Sequence, residues 1–166
     1  MTQETGPRRP RRTDPQRRDR IIDATIDVVA DRGVAGTTVR RIAAAADVSL
    51  GSLTYHFDGL DELFFLAFER VSQQGHTVFE AVLAQPGLAP REGVARIIEG
   101  LVSGDPRDLV LMVELYSLAL RRPEYRGLTQ GWMEASRTTL ARYFDAAQVP
   151  FIDAFIEGAT LHAALS

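Results

Sequence analysis

The chain has 166 residues, which suits one hydrophobic core or two small packed units. Its 19 basic side chains are all arginine and face 22 acids, for a net charge of −3. The lack of cysteine excludes disulfides, thiolate metal sites and cysteine nucleophiles, and no apolar run is long enough for a membrane-spanning helix.

Charge is unevenly placed. Residues 1–58 hold ten arginines against eight acids, whereas residues 59–166 hold nine against fourteen. A basic front and an acidic remainder suit a two-part protein whose first part meets nucleic acid. The stretch 1–13 is rich in proline and arginine and has no periodicity, so it is expected to be a disordered basic arm, either solvated or reaching DNA. No apolar segment follows these arginines, so a secretory signal is not expected and a cytoplasmic location is.

A first helix is predicted over 15–32, with Asp14 as N-cap and Pro15 at its first position. Ile21, Ile22, Thr25, Val28 and Val29 form its apolar face, and Gly33 stops it. A second helix over 38–45 carries Val39, Ile42 and Ala43 on one stripe. The turn Ala46-Asp47-Val48-Ser49 leads to a third helix over 50–57, with Leu53 and Phe57 facing inward. A helix this short is marginal alone. Packing must therefore hold it, which leaves its outer face free, as in a helix-turn-helix that enters the major groove.

A fourth helix over 60–84, rich in phenylalanine, reads as a connector. Further helices are predicted over 90–102 and 106–121. Another runs from Pro123 to about residue 147, with a bend near Gly127 or Gly131, and a last one starts at Pro150. The apolar pattern of that last helix is still running at Ser166. No strand-period segment or internal repeat occurs. The expected fold class is all-α: a three-helix DNA-binding domain over 14–60, then a helical bundle over 61–166.

The segments RIIDATIDVVADRGVAGTTVRRIAAAADVS, GSLTYHF and DGLDEL, in that order and spacing, resemble the DNA-binding domain of TetR-family transcriptional repressors. LYSLALRRPEYRGL and FIDAFIEGATLHAAL resemble C-terminal domains of the same family. The resemblance implies a homodimeric repressor that leaves a palindromic double-stranded operator when a small molecule binds its C-terminal domain and shifts the fourth helix. Two positions depart from the family pattern. Leu60 stands where many members have a phosphate-contacting lysine, and Thr54 replaces the first of two aromatics before the histidine.

Thr38, Ser52, Thr54, Tyr55 and His56 are expected to contact phosphates, and Arg40, Ser49, Leu50 and Gly51 to face bases. Arg40 offers bidentate readout of guanine. An effector cavity could be lined by Phe68, Phe79, Leu83, Met112, Leu115, Tyr116, Trp132 and Met133. Each of these taken singly reads more simply as ordinary core. Glu114 interrupts an apolar run, so it either pairs with Arg121 or Arg137, lies exposed, or meets a ligand. The last helix is apolar nearly all round. Leu140 and Phe144, with Phe151, Phe155, Ala159 and His162, are therefore expected at a dimer interface built from the last two helices.

No cofactor or metal is expected, because the three histidines lack ligand spacing. No nucleophile elbow or phosphate-binding loop occurs, so an enzyme is not expected. The competing class is a helical small-molecule-binding protein or enzyme whose N-terminal helix-turn-helix is non-functional. A non-specific architectural DNA binder is a third.

Overall fold

The computed structural model describes residues 16–166, so the basic arm, the Asp14 cap and Pro15 lie outside the described residues. Eight α-helices follow in order: α1 (Arg17–Gly36), α2 (Val39–Ala45), α3 (Leu50–His56), α4 (Leu60–Leu83), α5 (Pro90–Ser103), α6 (Pro106–Arg121), α7 (Arg126–Leu140) and α8 (Val149–Ala164). A single 3-10 turn, Pro123–Tyr125, joins α6 to α7. No strand occurs among the described residues.

The regular first helix is interrupted at Gly33, as its sequence suggests, where φ is 68° and ψ 169°, and helical turns resume beyond the kink to Gly36. One further turn carries the chain to Thr37, whose hydroxyl donates to the Gly33 carbonyl at 2.8 Å. The seventh helix ends at Leu140, not near 147, and runs unbroken through Gly127 and Gly131. The reason lies outside the segment. Leu140 is fully buried with Leu83, Val94, Ile97, Val149 and Ile156, so the chain must turn there to bring α8 back over the same core.

Three apolar cores run along the molecule. The first joins Ile21, Ile22 and Val28 of α1, Ile42 and Ala43 of α2, Leu53 of α3, Phe57, and Leu63 and Ala67 of α4. The second joins Val29 of α1, Phe64 and Phe68 of α4, Leu111, Leu115 and Leu118 of α6, and Tyr125. The third lies at the far end, around Leu83 and Leu140. Leu60 packs against both the first and the second core. The residue that departs from the family's lysine is thus an apolar bridge between cores.

Candidate nucleic-acid interface and its links to the helical domain

Local capping sets the geometry of the two short helices. The Thr38 hydroxyl accepts from Arg41 N–H at 3.3 Å, and the Ser49 hydroxyl accepts from Ser52 N–H at 3.1 Å. These bonds satisfy N–H groups that have no partner in a helix's first turn. Between them Asp47 adopts φ 51°. An aspartate tolerates that left-handed conformation better than most side chains. The Val48 N–H then returns to the Ala43 carbonyl at 3.0 Å, which fixes the angle between α2 and α3.

Leu53 is fully buried and anchors α3, while the opposite side faces solvent. Leu50 is 44% exposed and Tyr55 84%. A Cβ added at Gly51 would meet nothing within 4 Å, so a nucleic-acid backbone could approach closely there. Arg40 is exposed and has no salt bridge or side-chain hydrogen bond among the described residues. Its neighbour Arg41 is folded back and donates to the Gly36 carbonyl. Thr54 turns its hydroxyl onto the carbonyls of Leu50 and Gly51 at 3.2 and 3.3 Å. His56 is half-buried and meets the Tyr55 ring edge-on at 5.1 Å. Thr38, Arg40, Ser49, Leu50, Gly51, Ser52, Thr54, Tyr55 and His56 thus all fall on α3, its cap, or the start of α2.

Arg17 was missed from sequence. Its guanidinium donates to the Ser52 hydroxyl at 3.3 Å, which brings the start of α1 beside α3. Arg18 lies over the Phe57 ring at 5.2 Å. The signal available was the run of arginines that continues into the first helix.

Helix α6 and the residue after it attach to α1 at two points and to the start of α4 at a third. Arg107 meets Asp27 of α1 at 2.6 Å. Glu114 accepts the Val34 N–H at 3.0 Å, just past the Gly33 kink. Glu114 therefore pairs with neither Arg121 nor Arg137. It satisfies a backbone donor that the kink leaves free, and a Cβ on Gly33 would lie 2.6 Å from its Oε1. Arg122 forms a two-bond fork with Asp61 at the start of α4, at 2.7 and 2.9 Å. The Asp61 carboxyl is held below the usual range chiefly by those bonds. The buried Tyr125 donates to the Asp61 carbonyl at 3.1 Å.

The eight residues expected to line an effector cavity do not share one. Phe68 and Leu115 belong to the second core. Leu83 belongs to the third, with Phe79 packed against it. Met112 is half-buried on α6. Trp132 packs on α4 at Gly75, and Met133 lines an open groove of about 540 Å³ between α7 and α8. Tyr116 instead donates to Glu157 of α8 at 2.5 Å. Asp153, one turn earlier, is 3% exposed and bonded to Ser136 and Arg137 at 2.6 and 2.8 Å. Sequence reading passed over Asp153 and Glu157, although two carboxylates four apart on an apolar helix were the signal.

The expected interface divides as well. Phe151 and Phe155 are 77% and 62% exposed and His162 is exposed, while Phe144 and Ala159 are half-buried. Leu140 is corrected to a core position, with no exposed surface to offer a partner.

This arrangement defines a helix-turn-helix protein whose reading helix is mechanically joined to a helical bundle. Comparison with known proteins narrows the class. Residues 21–67 match the profile described as "Bacterial regulatory proteins, tetR family". Residues 89–166 match "Tetracyclin repressor-like, C-terminal domain". The crystal structure of SCO7518 from Streptomyces coelicolor A3(2) is 46% identical with a TM-score of 0.86, over 92% of this chain and 89% of that one. The multidrug binding protein EbrR, complexed with ethidium, is 38% identical with a TM-score of 0.79, over 92% of this chain and 90% of that one. The HTH-type transcriptional regulator BetI 1 of Chromohalobacter salexigens is 30% identical over 69% of this chain, which spans only 58% of that protein. The chain belongs to the TetR family of transcriptional regulators.

Proposed function

We propose that the protein is a homodimeric repressor, with residues 14–60 reading a palindromic operator and residues 61–166 binding a small-molecule effector and the second subunit. The observation that carries this reading is the solvent-facing side of α3 with the unpartnered Arg40 beside it. Half-sites lie about one helical turn, or a multiple of it, apart. The exposed Phe151 and Phe155 support an interface through the last two helices, since an apolar patch of this kind marks an association site. The α6 attachments support a route by which an effector moves the reading helix. EbrR, complexed with ethidium, supports a small molecule as that effector.

Selection of bound sequences from a random DNA pool, at moderate salt, tests the reading. The expected result is a palindrome bound by a dimer, with affinity falling steeply as salt rises. Enrichment of no sequence by folded, dimeric protein would favour the small-molecule-binding class with a silent helix-turn-helix. Charged residues at Phe151 and Phe155 should yield monomers by light scattering and weaken operator binding.

A further inference from the structure

The start of α3, expected to face bases, holds less hydrogen-bonding capacity than its residue types suggest. The Ser49 hydroxyl is engaged as the cap of α3 and accepts from the Ser52 N–H at 3.1 Å. The Ser52 hydroxyl accepts from the Arg17 guanidinium at 3.3 Å. Thr54 has a single O–H to donate, and it is directed at the carbonyls of Leu50 and Gly51. Gly51 has no side chain, and the space where a Cβ would stand is open.

One long side chain remains at this start, and it is apolar. Leu50 is the first residue of α3 and is 44% exposed, whereas Val39 and Val48 of the same motif pack on the first core. A single exposed leucine is ordinary on a protein surface. On a surface that closes over DNA it loses its water and must meet something. The edges of the bases in the major groove are donors and acceptors, with one apolar group among them, the C5 methyl of thymine. Closed over a purine edge or an unmethylated cytosine, Leu50 would strip water from polar groups and return no bond. Closed over a methyl, it removes apolar surface from water on both sides.

Two features place Leu50 for this task. Gly51 follows it, so no side chain at that position holds the groove floor away. The Val48 N–H bond to the Ala43 carbonyl fixes α3 against α2, so Leu50 and Arg40 approach DNA as one unit. Their chemistries are complementary. Arg40 carries a charged fork that suits the two acceptors of guanine, and Leu50 carries an apolar branch that suits a methyl.

We propose that Leu50 is a specificity-determining residue that reads the C5 methyl of a pyrimidine in each operator half-site. In ordinary DNA that pyrimidine is thymine. Where a cytosine stands in the same place, methylation at C5 supplies the same group and strengthens binding. A twofold operator carries two such methyls, one under each subunit's Leu50. The assignment rests on the operator-reading function above and adds to it the chemistry of one base position.

The test uses the full-length protein and the sequence selected from the random pool, at constant salt, with binding followed by fluorescence anisotropy. Each thymine is replaced in turn by deoxyuridine, which lacks only the methyl. At one position the replacement should weaken binding about fourfold in one half-site and about fifteenfold in both, the contribution of one buried methyl group each time. Leu50→Ser should bring the thymine-to-deoxyuridine ratio at that position close to one and leave the ratios elsewhere unchanged. Leu50→Met, which keeps an apolar chain of similar volume, should retain the preference. With cytosine at the same position, C5 methylation should tighten binding by a similar factor in the parent and not in Leu50→Ser. Each ratio is taken on one protein, so a variant that merely folds less well does not move it. Equal binding of thymine and deoxyuridine at every position, a preference that survives Leu50→Ser, or a selected half-site without thymine overturns the assignment. Enrichment of no sequence would sink the operator reading and this assignment together, whereas a selected palindrome indifferent to the methyl sinks the assignment alone.

Discussion

The helix-turn-helix end and the helical bundle differ in their buried hydroxyls, for the bundle leaves some of its own without partners beside the bonded Thr129 and Ser136. Near α3, the buried Thr25 and Thr37 both donate to carbonyls four residues earlier, at 2.8 Å each. In the helical bundle, Thr139, Thr160 and the buried hydroxyl of Ser72 have no partner. The reading end also packs its short helices on an apolar core. The helical bundle buries Asp153 and half-buries Glu157. Buried hydroxyls without a partner cost free energy, so the bundle carries at Thr139, Thr160 and Ser72 a cost that Thr25 and Thr37 avoid.

The largest test of the contrast is Leu53→Ala. Leu53 has no exposed surface and, with the capping Phe57, anchors the inner face of α3. Truncation should cost about 2–5 kcal/mol, measured by urea unfolding, and DNA binding should be lost while the bundle still melts cooperatively. Loss of both transitions together would mean the two ends are one folding unit.

Next comes Gly33→Ala. The positive φ and the close approach of Glu114 both oppose a side chain there. The expected cost is about 1–3 kcal/mol. Adding Glu114→Ala should recover part of it, as a double-mutant cycle would show. Strict additivity would mean that the carboxylate does not constrain the kink.

Arg40→Ala keeps the fold and probes the outer face. It should cost about 1–3 kcal/mol at a single operator position if Arg40 reads guanine. Equal weakening on all sequences in a binding titration would assign it to phosphate.

The smallest expected effect is on stability, at Glu157 in the helical bundle. The Glu157 carboxyl is raised in the folded state, chiefly by burial. A folded state that holds its proton more tightly than the unfolded chain loses stability as pH rises through the raised value. Glu157→Gln should therefore melt slightly higher than the parent at neutral pH. The gap should close as pH falls below the ordinary glutamate range. A parent that melts higher throughout would show that ionised Glu157 is fully compensated.

What could be read from the sequence was what local chemistry controls. Thr38 and Ser49 cap the helices they precede, and Ile42, Leu53 and Phe57 lie buried where their spacing puts them. The end of α7 was hidden because no glycine or proline marks it. Leu140 turns the chain through contacts with α4, α5 and α8. Glu114 was unreadable for a similar reason, since its partner is a backbone N–H eighty residues earlier. The candidate cavity lining divides between the second and third cores and the faces of α6 and α7, because apolar spacing identifies what is buried but not which core it joins. The acidic pair on α8 was in plain view, and needed only the question of why an apolar helix carries charge.

The three attachments of α6 have a mechanical consequence. Residues 107, 114 and 122 span about 22 Å at the rise of a helix, and they fasten to Asp27, Val34 and Asp61. A bar bolted at both ends and in the middle cannot pivot about any one bolt. It holds its seat or leaves it as a whole. A chain in which α6 shifts should therefore show two distinct seatings of α3 rather than a continuum of tilts, the behaviour of a latch rather than a dial.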